Sequence, residues 1–141
     1  MKHILIALFI LVGISANAQK FTNGFMEDTL TNAETAYLYP NDAATALTAP
    51  TFKGYGALQV TMVFDSLSGA TAGTALLEGC YDDACTYTYT ITSVTINGAT
   101  QQVSTTEDAF FMPPKWRIKN TVTGTQSTRC RVYYAWKEIS R

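Results

Sequence analysis

The chain has 141 residues, 47% hydrophobic and 15% charged, with a formal net charge of −1, which is the scale of one domain. Its single histidine is His3, and all 22 of its threonines follow residue 20. Beyond residue 3 this excludes Ser-His-Asp and Cys-His catalysis and any zinc site built on histidine, while abundant threonine with 12% aromatic residues points to an all-β domain.

Residues 1–18 have the three parts of a secretory signal. Lys2 is the positive start, Ile4 to Ile14 is an uncharged apolar run, and Ala16-Asn17-Ala18 is a small-x-small cleavage site. The apolar run is about 11 residues, short of the ~20 that a helix needs to cross a bilayer. The expectation is Sec-type export, cleavage before Gln19, and a mature domain over 19–141 with no membrane attachment. The rival is an uncleaved hydrophobic anchor. In style the leader resembles those of exported Bacteroidetes proteins.

The mature chain is a series of short alternating runs separated by Gly, Pro, Asn and Asp. Thr29 to Tyr39 reads as a first strand, closed by Pro40-Asn41-Asp42, and residues 43–54 read as a loop. Ala57 to Leu67 is the clearest strand, with Leu58, Val60, Met62 and Phe64 on one face and Gln59, Thr61 and Asp65 on the other. Ser68 to Gly73 is a small-residue turn, Thr74 to Tyr81 the next strand and Asp82-Asp83-Ala84 the next turn. Thr86 to Ile96 alternates until the phase slips at Ser93, which predicts a bulge or a tight bend. Asn97-Gly98 is a strong hairpin signal, expected to join Val94–Ile96 to Thr100–Ser104. Thr105 to Pro114 reads as a loop, Lys115 to Val122 as a strand with Trp116 and Ile118 inward, and Thr128 to Ile139 as the last strand. The sum is a single antiparallel β-sandwich of about eight strands, jelly-roll-like or Ig-like, with the balance towards the jelly roll.

Cys80 and Cys85 flank the Tyr81 to Ala84 turn, and strands leaving so short a loop are close enough for a disulfide. Cys130 is then left over, either as a buried apolar residue or in a bridge to Cys80 or Cys85, or between subunits. Three thiols without histidine make a poor metal site. Asp82 and Asp83 read as turn residues, because calcium needs six or more oxygen ligands. Glu107 and Asp108 have no opposing pair at glycosidase spacing. Neither a Gly-x-Ser-x-Gly nor a Ser-x-x-Lys motif occurs. No catalytic residue, cofactor or metal is expected.

Charge is unevenly placed. From Lys115 onward seven Lys and Arg stand against one acid, Glu138, whereas residues 19–114 carry two bases and ten acids. This implies a partner surface, self-association of the basic end with an acidic face, or a fold that simply brings the two signs together. Arg117, Lys119, Arg129 and Arg131 alternate along the last two strands, which are expected to pair. With Tyr133 they form a candidate basic interface. The plainer alternative is a solvated strand face guarded against aggregation. Phe110 and Phe111, ahead of Pro113-Pro114, form a candidate docking loop. Export makes nucleic acid an unsuitable partner, and a neighbouring subunit a natural one.

The stretch Phe64-Asp65-Ser66-Leu67-Ser68-Gly69-Ala70-Thr71-Ala72-Gly73-Thr74-Ala75-Leu76-Leu77-Glu78-Gly79, then Asp82-Asp83, resembles small β-sandwich virion proteins of Bacteroidetes phages. The closing run Trp116-Arg117-Ile118-Lys119, Thr123 to Thr128 and Val132-Tyr133-Tyr134 is similar to the last hairpin of those modules. The resemblance covers residues 29–139 and implies a structural subunit without catalytic residues. Such virion proteins normally lack a leader, so an exported bacterial assembly and a virus whose subunits cross the membrane both stay open. The sequence thus predicts a non-catalytic subunit of a virion or extracellular polymer that self-associates or joins other structural subunits. The alternative is a monomeric secreted binding module for glycan or a surface ligand.

Overall fold

Period-two alternation of apolar and hydroxyl side chains gives each segment one face for a core and one for solvent, and the chain settles almost entirely into strands. The computed structural model describes residues 21–49, 51, 55–98, 101–108 and 113–139. The eight strands are β1 (Phe21–Thr31), β2 (Glu34–Leu38), β3 (Tyr55–Gly69), β4 (Ala72–Cys80), β5 (Thr88–Asn97), β6 (Gln101–Asp108), β7 (Lys115–Thr123) and β8 (Gln126–Ile139). A 3-10 turn at Pro40–Asp42 follows β2. The leader over residues 1–18 lies outside the described residues.

The strands form two four-stranded sheets, in the orders β1-β8-β3-β6 and β2-β7-β4-β5. The pairs β1·β8, β2·β7, β3·β6 and β4·β5 are all antiparallel. The chain is therefore one long hairpin with β4 and β5 at its tip, rolled so that β3 also meets β8 and β4 meets β7. That is the jelly-roll arrangement, which decides between the two topologies the sequence allowed.

The core lies between the sheets. Leu58, Val60, Met62 and Phe64 on β3 and Cys130, Val132, Tyr134 and Trp136 on β8 form one wall. Ala75 and Leu77 on β4 and Trp116, Ile118 and Val122 on β7 form the other. Trp116 meets Tyr134 edge-on across the sandwich, with ring centroids 5.1 Å apart. Asn120 is also fully buried, against the Cys130 thiol.

Three expectations change and a fourth, the bulge, is met. The strand expected over Thr29 to Tyr39 is two strands in different sheets, broken at Asn32, whose φ is 58°. Gly98 takes the left-handed φ of 75°, but β5 and β6 on either side of the Asn97-Gly98 signal lie in different sheets and do not form a paired hairpin. Thr105 to Asp108, expected as the start of a loop, belong to β6, and residues 109–112 of that expected loop lie outside the described residues. The phase slip near Ser93 is a bulge inside one continuous strand, with Ile91 the extra residue between Thr90 and Thr92.

The short turns meet at one end of the sandwich. The buried Gln126 amide accepts a hydrogen bond from Ala72 N (3.2 Å) and donates to Ala72 O (3.0 Å) and Thr123 O (2.9 Å). It thereby ties the β3–β4 turn to the β7–β8 turn. The longer described loops, residues 39–49 and 81–87, meet at the other end through Lys115. That side chain is buried, and its Nζ donates to Ala46 O at 2.8 Å.

Phe64 is 1% exposed and Leu67, three residues on, is 51% exposed. Phe64→Ala should cost about 3–5 kcal/mol, and Leu67→Ala should stay within about 0.5 kcal/mol. Urea denaturation with unchanged slope would measure both.

Candidate functional site

The turn at Gly124-Thr125 sends β7 and β8 into opposite sheets. They do not pair, contrary to the sequence expectation. Arg117 and Lys119 therefore face outward from one sheet, and Arg129, Arg131 and Tyr133 from the other. The five residues do not share a patch. A turn signal marks a reversal of the chain, but it does not say which sheet the chain returns to.

Each side of the sandwich then neutralises its own arginines. On one side Arg117 Nε donates to Glu78 Oε2 at 2.8 Å, with both side chains mostly buried, and its guanidinium lies 4.2 Å from the Tyr37 ring centre. Burial opposes the Arg117 charge, but the hydrogen bond to Glu78, the Glu78 charge and Tyr39 together outweigh it and raise the pKa above its ordinary value. On the other side β3 sets Asp65 opposite Arg129. Arg129 Nη2 donates to Asp65 Oδ2 at 3.2 Å, and Arg131 Nη2 donates to the same oxygen. Lys115 Nζ stands 4.0 Å from Asp83. Among the described residues, the fold thus sets four of the C-terminal bases against Glu78, Asp65 and Asp83.

Aromatic side chains take the exposed positions instead. Tyr133, 46% exposed, packs against Phe25, 40% exposed, with ring centres 5.1 Å apart. Phe25 was not singled out in the sequence, because it becomes Tyr133's neighbour only through the β1·β8 register. Phe110 and Phe111 lie outside the described residues.

The Cys80–Cys85 disulfide forms, with Cα atoms 4.8 Å apart. Within the loop it closes, Asp82 accepts backbone N–H bonds from Tyr87 (2.9 Å) and Thr86 (3.1 Å), and Tyr81 N donates to Tyr87 O at 2.9 Å. This rigid tip presents Tyr81 and Tyr87, both strongly exposed, with Tyr89 packed 4.9 Å from the Tyr81 ring. Cys130 is fully buried and unbonded, and burial pushes its thiol up to about 12.

No group of three His, Cys, Asp or Glu able to hold a metal occurs among the described residues. A recess beside β2, lined by Glu27, Asp28, Tyr37 and Tyr39 among others, has a volume of about 220 Å³, below the range usual for small-molecule sites.

No protein family matches the sequence, and no curated protein does. Solved structures share the fold at low identity. A subunit described under "Bacillus endospore appendages form a novel family of disulfide-linked pili" has a TM-score of 0.52 at 8% identity, over 88% of this chain and 93% of that one. A chain of Broad Bean Stain Virus gives 0.54 at 12% identity, over 84% and 86%. A chain of infectious bursal disease virus, Gt strain, gives 0.55 at 11% identity, over 86% of this chain and 32% of that one. This chain spans about a third of that last one.

Two outcomes follow from the site. The folded, unreduced protein should show no reactive thiol at about pH 8, and one after denaturation without reductant, Cys130, scored by mass after alkylation. The Tyr87 and Thr86 N–H bonds hold Asp82 below its ordinary pKa. Stability from a depressed carboxyl is present above its unfolded pKa and is lost as pH falls through the folded one. The exchange protection of the Tyr87 amide should therefore drop as pH falls below the ordinary carboxylate range, and Asp82→Ala should remove that pH dependence.

Proposed function

We propose that the chain is a non-catalytic structural subunit that self-associates outside the cell, in a surface or extracellular polymer or in a virion. The observation that carries this reading is the division of labour among side chains. Arg117, Arg129 and Arg131 are engaged within the fold, while Phe25, Tyr133, Tyr81 and Tyr87 face solvent on a rigid frame. The aromatics are not scattered singly but packed in contact, Phe25 on Tyr133 and Tyr81 on Tyr89, and contiguous exposed apolar surface marks interaction sites. Likeness in fold to a pilus subunit and to capsid chains supports the same reading. Export through the leader at residues 1–18, and kinship with Bacteroidetes phage virion proteins, belong to this proposal.

The cysteines shape it further. The similar appendage subunit is described as belonging to disulfide-linked pili. In this chain two cysteines are bonded to each other and the third is buried. Copies should therefore join without disulfides, and a reducing agent should leave the assembly intact.

The second reading, a monomeric binding module for glycan or a surface ligand, rests on the disulfide-closed Tyr81–Tyr87 tip, since rigid exposed tyrosines make low-entropy contacts. Sedimentation of the mature protein, with electron microscopy of the heavy fraction, separates the two. Filaments or particles of this chain support the subunit. A monomer of about 13 kDa, the size of a small domain, stabilised by added glycan, contradicts it.

A further inference from the structure

Two open sheets leave four edge strands, here β1, β6, β2 and β5. An open edge is a template for another strand unless charge, brevity, proline or a bulge blunts it. Three of the four are blunted in the usual way. β1 carries Glu27 and Asp28 along its length, and β6 ends in Glu107 and Asp108. β2 is five residues long and begins at Glu34. The exception is β5, Thr88 to Asn97, which has no charged residue, no proline and no glycine. Eight of its ten residues are β-branched or aromatic, the composition that favours strand-on-strand pairing. The bulge at Ile91 bends its first half. From Thr92 to Asn97 it runs in unbroken register with β4, Leu77 opposite Thr92 and Ala72 opposite Asn97.

We propose that β5 is the edge through which two copies of this chain join. The strands pair antiparallel, β5 on β5, so that the two β2-β7-β4-β5 sheets become one sheet of double width. The inference rests on the self-association reading and assigns the edge that carries it. A second copy is the fitting occupant because a two-fold contact must be complementary to itself. β5 meets its own copy with no charge facing charge, whereas β1 carries Glu27 and Asp28 near its middle, where a two-fold pairing would bring carboxylates close together.

The outer face of the same sheet is continuous up to this edge. Thr35, Thr121, Thr74 and Thr95 stand side by side in register across β2, β7, β4 and β5, with the first two hydroxyls 3.3 Å apart. Pairing at β5 would carry this row of threonines across the seam into the second copy.

The test uses the mature chain and sedimentation velocity over a concentration series, with circular dichroism as the check of folding. Ser93 and Thr95 are exposed, so the double variant Ser93→Lys/Thr95→Lys should fold. It should weaken association by about tenfold or more. Thr35→Lys, at the opposite edge of the same sheet, should leave association unchanged. Separately, Ser93→Cys, Thr95→Cys and Asn97→Cys should include at least one position that oxidises to a covalent dimer. Unchanged association of the folded double lysine variant, with no cross-linked dimer from the cysteine series, overturns the β5 assignment and leaves self-association standing. A wild-type chain that stays monomeric throughout overturns both.

Discussion

Seven connections join the eight strands, and only the one between β4 and β5 returns the chain to its own sheet. The other six carry it across the sandwich. This alternation rolls one long hairpin into two sheets, and most other features follow from it. It gathers the short turns at one end, where Gln126 ties two of them together. It puts Asp65, from the middle of the chain, beside Arg129 and Arg131 near its end. It also separates Arg117 and Lys119 from those two arginines by the thickness of the domain.

What the sequence made legible was local. Leu58, Val60, Met62 and Phe64 alternate without interruption, and all four are buried. Cys80 and Cys85 close over a turn whose geometry depends on few other residues. What it hid was set by partners distant along the chain. Strand pairing obeys register between segments, and local alternation says which face is apolar but not which strand lies alongside. The part of β1 before Thr29, most of the strand, is illegible in the sequence for this reason. Gly24 interrupts its pattern, and the cause is the Tyr134 ring: a Cβ at Gly24 would fall 2.2 Å from the Tyr134 hydroxyl. The exposed Phe25–Tyr133 pair was hidden in the same way, being contiguous only once β1 lies on β8. The basic patch failed because it assumed that strands joined by a tight turn must pair.

The charged groups also illustrate how burial decides their role. The Arg129–Asp65 pair is partly exposed, and such pairs are worth about 0–1 kcal/mol. Arg117 and Glu78 are mostly buried, and removing either would strand the other away from water, the costlier case. In both places the arginine is held by its own domain. The surfaces proposed to meet other molecules, the β5 edge, the Phe25–Tyr133 pair and the Tyr81–Tyr87 tip, are neutral or aromatic. Threonine fits this economy, since it favours strands, solvates a sheet face and adds no charge.

If copies of this chain meet through neutral strand and aromatic surfaces, as proposed, and not through the basic C-terminal run, assembly should be insensitive to salt, because salt screens exposed charges and spares apolar and backbone contacts. Sedimentation of the mature protein from about 0.05 M to about 1 M sodium chloride, a range over which the screening length falls severalfold, should show assemblies of constant or increasing size. Assemblies that dissolve steadily as salt rises would return the interface to the arginines and contradict the account.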